Sequence, residues 1–301
     1  MQHLGKPRIL IVGCGDVGLR LLPQLTPSYK VFALTSSEDR APLLRQAGAI
    51  PVIGNLDQAD TLWRLPQLAS RVINLAPPPA VGKIDTRTHN LLRILAQRSR
   101  FIRQLIYIST TGVYGDCAGA WIDETKGVNP QSLRAQRRVS AEAQIRAWSS
   151  QTGVSAHILR VPGIYAQDRL PLERIRRGTP ALSADEDVYT NHIHADDLAR
   201  LIKWVLYRAK PQRVMNACDD SQMKMGDYFD AVAATFQLPR PPRLSRQELE
   251  LTMDPVMLSF MSESRRIEND RLREIGFRLQ YPTVDDYLNF ISKYLLSPRN
   301  D

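Results

Sequence analysis

Ile9-Leu10-Ile11-Val12-Gly13-Cys14-Gly15-Asp16-Val17-Gly18 is the stretch that decides the fold. A short apolar run reads as a buried strand. It breaks into G-x-G-x-x-G, and an apolar-periodic segment, Leu19 to Leu25, follows directly. Gly13 permits a tight turn, Gly15 lets backbone N–H groups approach a pyrophosphate, and Gly18 lets a helix lie close on the strand. The helix N-terminus then offers N–H donors and partial positive charge to phosphates. A dinucleotide site is therefore expected at Gly13, Cys14, Gly15, Asp16, Val17 and Gly18. Pro23 falls inside the expected helix and should kink or shorten it.

Strand-like and helix-like patterns alternate onward from this loop. The expected strands are 30–34, 50–53, 72–75, 104–108 and 156–160. Helical stretches lie between them at 41–47, 60–65, 86–98 and 132–149. Near-continuous apolar strands separated by helices predict a parallel sheet covered on both faces. Right-handed crossovers then give an α/β, Rossmann-type doubly wound sheet with its ligand at the carboxyl ends of the strands. Beyond Val161-Pro162-Gly163 the pattern loosens: 164–190 is loop-rich, 199–208 is helical, and 213–216 reads as a last strand. The expected division is a dinucleotide-binding domain, 1–163, to which 191–216 returns. A smaller, mostly helical substrate lobe is expected from 164–190 and 217–301.

The 301 residues, 43% of them hydrophobic, suffice for a large core, and no apolar run is long enough to span a membrane. Three widely separated cysteines, Cys14, Cys117 and Cys218, fit a reducing setting and no disulfide framework. The N-terminal residues carry no signal-peptide pattern, so a cytoplasmic protein is expected. The net charge is +9, from 40 basic residues of which 8 are lysine. Local groups occur at Arg98, Arg100 and Arg103 and at Arg134, Arg137 and Arg138, without an aromatic-interleaved stripe. That pattern predicts a solvated arginine-rich surface rather than nucleic-acid binding, with some arginines suited to small anions.

Further segments carry a resemblance. They are Ile53-Gly54-Asn55-Leu56, Leu75-Ala76-Pro77-Pro78, Ile108-Ser109-Thr110-Thr111-Gly112-Val113-Tyr114-Gly115 and Ile193-His194-Ala195-Asp196-Asp197-Leu198-Ala199. In this order and spacing, with the glycine loop, the chain resembles the extended short-chain dehydrogenase/reductase family, the group of nucleotide-sugar epimerases and dehydratases, over nearly its whole length. The resemblance implies that Asn55 and Leu56 flank an adenine, that Ala76, Pro77 and Pro162 line the cofactor, and that Thr110 is the catalytic hydroxyl. It also places Thr111, Tyr165, His192, Arg265 and Arg266 toward a substrate. His-x-His with Asp196 and Asp197 belongs to a structural motif of that family, so no metal is expected.

One motif departs. The family's Tyr-x-x-x-Lys pair, aligned on Pro130 and Glu142, falls on Arg134 and Arg138. Arginine cannot exchange a proton near neutrality, so the chain resembles the atypical branch that keeps the cofactor fold without the usual catalytic pair. Arg138 is expected to hold the ribose, Arg134 to meet a substrate anion or face solvent, and Tyr114 to be the proton donor or a packing residue. At the end of the second strand stand Thr35 and Ser36, with Arg40 nearby. They suit a 2′-phosphate, so NADP is expected, with NAD the alternative. A homodimer is expected across 86–98 and 132–149, burying Leu91, Leu92 and Leu95. The expected function is an NAD(P)-dependent oxidoreductase or epimerase/dehydratase-like enzyme on a small substrate. The alternative is a non-catalytic NADP(H) sensor or scaffold.

Overall fold

The computed structural model describes residues 5–254, 258 and 261–296; the outermost residues of both expected lobes, 1–4 and 297–301, lie outside it. From the N-terminus run β1 (Arg8–Val12), α1 (Asp16–Leu25), β2 (Lys30–Thr35), α2 (Ala41–Gln46), β3 (Ile50–Ile53), β4 (Arg71–Asn74), α3 (Thr86–Ala96), β5 (Gln104–Thr110) and α4 (Leu133–Thr152). Strands Ser155–Val161 and Val214–Asn216 complete a seven-stranded sheet in the order Val214–Asn216, Ser155–Val161, β5, β4, β1, β2, β3. Every pairing in it is parallel. The order reverses at β1, which creates the crevice where such sheets bind ligands.

Each face is sealed by its own apolar cluster. On one side Leu21, Leu22 and Leu25 of α1 meet Leu198, Leu201, Ile202 and Val205 of the helix Ala195–Arg208 over Ile9 and Ile11. On the other, α3 and α4 cover Leu10, Val72 and Leu105. Helix α1 passes through Pro23 and ends two residues later, close enough to its C-terminus that few backbone bonds are lost. A third cluster, with Ile175, Leu182, Phe229, Val232 and Leu288, lies outside the sheet. Among the described residues no helix is long and apolar enough to cross a membrane.

Two expectations are corrected here. Residues 60–65 form no α-helix but two tight 3₁₀ turns, Ala59–Leu62 and Leu65–Gln67, because Pro66 cannot continue a helical ladder. Leu91, Leu92 and Leu95 are not a partner-facing stripe. They are buried within this chain against Ile145, Trp148 and Leu105, since α3 and α4 spend their apolar faces on the sheet.

Candidate functional site

The glycine loop uses its three glycines for three different reasons. Gly13 has a φ of +78°, and a side chain there would strike the Ala76 backbone at 2.6 Å. Gly18 would drive a Cβ to 2.8 Å from the Cys14 sulfur and 3.3 Å from Leu75, so it is what seats α1 on the sheet. A Cβ on Gly15 meets nothing within 4 Å. The fold therefore tolerates a side chain at Gly15, and the space it would fill opens in front of the N-terminus of α1. The Cys14 thiol is buried, which pushes its pKa up to about 11 against the lowering influence of Arg40, so it packs rather than reacts.

Gly13, Cys14 and Gly15 line a cleft of about 310 Å³ together with Thr35, Ser36, Arg40, Asn55, Leu56, Ala76, Pro77 and Arg87. The charged groups of this lining are both guanidinium. Arg40 donates to the Cys14 carbonyl at 2.9 Å, and Arg87 is held bidentately by Asp57 at 2.8 and 2.7 Å. The Thr35 hydroxyl is engaged with the Ser37 backbone, which leaves Ser36 and Arg40 to face the space. Asp16, Val17 and Gly18 form the first turn of α1 behind the lining.

A second cleft of about 690 Å³ lies over the carboxyl ends of β5 and Ser155–Val161. Thr110, Thr111, Arg134, Arg138, Pro162 and Arg265 line it. So do Arg169, Arg174, Tyr189 and Glu263, to which nothing in the sequence pointed, because the elements that carry the first three, Gln167–Arg169, Leu172–Arg176 and Tyr189–Thr190, are too short to show a periodicity. Arg134 and Arg138 stand one turn apart on α4, whose N-terminus is capped by Ser132 accepting from the Ala135 N–H at 3.2 Å. The Arg138 guanidinium donates to the Tyr107 hydroxyl at 2.9 Å and the Ile108 carbonyl at 2.8 Å, and reaches the Ala76 carbonyl at 3.4 Å. Ala76 lines the first cleft, so this one side chain spans the two. Burial depresses the Arg134 guanidinium, opposed by Glu263 and reinforced by Arg138 and Arg137.

Five arginines and one carboxylate line the larger cleft; that carboxylate, Glu263, is bonded to Arg265 at 2.7 Å, and Arg169 reaches out of the lining to Asp16 at 3.0 Å. Behind the cleft, Glu142 of α4 accepts from Ser109 of β5 at 2.7 Å and takes Arg160 bidentately at 3.1 and 2.8 Å. All three are buried. This triad fixes α4, and with it Arg134 and Arg138, against the sheet.

Four expected site residues lie elsewhere. Tyr114 is fully buried, donates to Asn216 at 2.7 Å and has Arg160 over its ring at 4.7 Å. Burial pushes its pKa up, not down, although Arg160 opposes the shift. Tyr114 is a packing residue and lies outside the lining. His192 and Tyr165 are buried in the second lobe, His192 stacked on Tyr228 at 4.3 Å with its pKa depressed to about 3 by burial. Tyr165 lies edge-on to His194 at 5.2 Å. Arg266 lies between Trp121 and Tyr189, 5.1 and 4.8 Å from their rings, beside a different depression from its neighbour Arg265. Arg266 opens the short strand Arg266–Ile267, while Arg265 lies just before it and donates to the Gly115 carbonyl at 2.8 Å, so the two side chains part.

Residues 9–218 match the sequence model of the NAD dependent epimerase/dehydratase family. No curated protein matches the chain. Among solved structures it is similar to a functionally unknown conserved protein from Silicibacter pomeroyi, 28% identical, with 97% of this chain and 100% of that one covered at a TM-score of 0.82. A protein from Methylobacillus flagellatus assigned as an NAD-dependent epimerase/dehydratase is 26% identical over 97% and 100% of the two chains, with a TM-score of 0.74. The Thermus thermophilus UDP-glucose 4-epimerase in complex with NAD shares the fold at 18% identity, over 95% and 98%, with a TM-score of 0.73.

Proposed function

Because the chain belongs to the NAD-dependent epimerase/dehydratase family, we propose that it binds a nicotinamide dinucleotide across the two clefts and acts by hydride transfer on a small anionic substrate. The observation that carries this reading is the Gly15 cradle, continuous through Arg138 with a cleft of five arginines. Gly13, Cys14 and Gly15 would hold the pyrophosphate at the N-terminus of α1. Asn55, Leu56, Ala76 and Pro77 would hold the adenosine. Ser36 and Arg40 favour NADP, since they offer donors and a positive charge to a 2′-phosphate. When bound, the nicotinamide supplies a reversible hydride acceptor.

The chain's own residues then do the rest. Arg138, pinned by Tyr107 and Ile108, donates to ribose hydroxyls. Thr110 orients the reacting substrate oxygen, and Arg134 and Arg265 take a carboxylate or phosphate of the substrate. Tyr189, the phenol in the lining, carries the proton that the Arg134 position cannot.

Calorimetry with NADPH and NADH tests the cofactor site. Gly15→Val should abolish binding while the melting temperature stays put, because its side chain enters open space. Unchanged NADPH affinity would refute the assignment, and tighter NADH binding would overturn only the NADP preference. Hydride transfer is tested on a panel of oxo acids, phosphorylated aldehydes and nucleotide sugars. Tyr189→Phe should then lower turnover by about 10²–10⁴. A second reading, a non-catalytic NADP(H) sensor, is favoured by Arg134 at the acid's position. It becomes the better one if cofactor binds and no member of the panel is turned over.

A further inference from the structure

The amino ends of the strands, at the opposite edge of the sheet from both clefts, carry a second concentration of charge. β2 begins at Lys30, β1 at Arg8 and β4 at Arg71, while Arg103 immediately precedes β5. In the sheet these four strands are neighbours, and the register sets Arg8 beside Lys30 and Arg71 beside Gln104. Adjacent strands lie about 4.8 Å apart, so cations line up along one edge where like charges repel.

The turn between α3 and β5 adds Arg98 and Arg100, which join Arg8 and Arg103 around a cleft of about 510 Å³. Phe101 lines the same cleft and is 64% exposed; the Arg98 guanidinium lies over one side of its ring, 5.9 Å from the centroid, and the other side is where a base would stack. Acidic residues are scarce around it. From Thr61 to Gly115 the sequence holds eight lysines and arginines and one acid, Asp85, which is buried as the N-cap of α3. Among the described residues none of Arg8, Arg71, Arg98, Arg100 and Arg103 pairs with a carboxylate. A folded protein gains nothing from such self-repulsion; a polyanion laid along the edge would relieve it.

We propose that this edge binds a single-stranded polynucleotide, with phosphates along the arginine row and a base stacked on Phe101. A concave cleft with one exposed ring suits a splayed base, because every base offers a π face to an aromatic side chain. An anionic membrane would attract the same cations, but a flat bilayer does not enter a concave cleft of about 510 Å³, whereas a nucleotide does. β1 is five residues long, so the edge and the dinucleotide loop are separated by about 17 Å of strand. The proposal therefore stands apart from the cofactor reading, and either can fail alone.

The test is fluorescence anisotropy of a labelled oligouridylate of about 12 nucleotides, within the range of single-strand sites, with the full chain, with and without NADPH. Binding should weaken steeply with salt, log K falling by about 0.7 per phosphate contacted for each unit of log salt concentration. Arg98→Glu/Arg100→Glu/Arg103→Glu should reduce affinity at least about 100-fold and flatten the salt slope by about 2. Phe101→Ala should reduce affinity about tenfold without changing the slope. Arg134→Ala/Arg265→Ala, in the other cleft, should leave oligonucleotide binding intact. Melting curves check that the exposed substitutions leave the fold unchanged, and Arg98→Ala/Arg100→Ala replaces the reversal variant if that one does not fold. Binding that survives the edge substitutions, a salt-independent affinity, or capture by phosphatidylserine vesicles without oligonucleotide binding would overturn the proposal.

Discussion

Tyr114 and His157 show what burial does to a titratable side chain in this protein. The Tyr114 hydroxyl is spent on Asn216, itself fully buried. Tyr114→Phe should therefore leave Asn216 Oδ1 without its donor and cost about 1–3 kcal/mol. In a turnover assay with a competent substrate, kcat should stay within about twofold of wild type, whereas loss of a general acid would cost about 10²–10⁴. His157 is buried between Gln104 and Ser155, contacting them at 3.0 and 3.1 Å, and burial lowers its pKa to about 4. A histidine held neutral in the folded state contributes stability above its unfolded pKa of about 6.5 and loses it as pH falls toward 4. Asp219, raised by burial to about 8, runs the other way and gains stability on acidification. The His157 contribution is thus read by difference. From pH 7 to pH 5 wild type should lose on the order of 2 kcal/mol relative to His157→Gln, measured by denaturant unfolding of both proteins.

At the scale of elements, α4 is the most informative. Its sequence is so polar that it reads as a surface or dimer helix, yet Arg137 and Glu142 are buried in it. Its seat on the sheet joins the apolar contacts of Ala141, Ile145 and Trp148 to the Ser109–Glu142–Arg160 triad. The Arg160 guanidinium, buried with Glu142 as its counter-charge, would be left uncompensated by Glu142→Gln. That substitution should destabilise the protein by about 3–5 kcal/mol. Because the same triad places Arg138, cofactor affinity should fall too. Glu142→Leu/Arg160→Met, which removes both charges, should regain much of the stability. Unfolding curves and cofactor titrations of the two variants decide it. If Glu142→Gln unfolds like wild type, the triad does not anchor α4.

For the whole molecule, two clefts meet along the carboxyl edge of one sheet, bordered by residues from 5–163 and from 169–265. A ligand bridging them binds the folded chain alone and raises its stability by RT ln(1 + [L]/Kd). NADPH at about 100 times its Kd should add about 2.7 kcal/mol, a rise of about 4 °C for a chain of this length. NADH at the same concentration should give less, and Gly15→Val should give none. Thermal melts with each nucleotide check this. The homodimer is a separate proposal: with Leu91, Leu92 and Leu95 committed to the chain's own core, an interface at α3 and α4 would use their polar outer faces. Light scattering at micromolar concentration should then show twice the chain mass, decreasing with added salt.

The sequence by itself determined the sheet, the glycine loop and most of the residues that line the smaller cleft. Those depend on local rules: a short apolar run bounded by turn residues reads as a strand, and a turn with φ of +78° needs Gly13. Strand ends differ from expectation by one or two residues, as at β4 and β5, because termini are set by neighbours in the ladder rather than by composition. The substrate half followed no such rule. Thr110, Arg134 and Arg138 were legible through the family resemblance, which aligned the two arginines on Pro130 and Glu142, and the helical spacing of four put them on one face. Arg169, Arg174, Tyr189 and Glu263 arrive from short elements and loops as much as 153 residues away from Thr110, and only packing brings them together. Tyr114, Tyr165, His192 and Arg266 failed for the same reason in reverse. Their residue types suit chemistry, and only the tertiary structure shows which side of a wall each occupies. Charge behaved likewise: arginines scattered along the sequence become two concentrations, one at each end of the sheet. At the amino edge the parallel strands align Arg8, Lys30 and Arg71 as first residues, whereas at the carboxyl edge the helix Leu133–Thr152 and the segments of the second lobe carry the arginines over the strand ends.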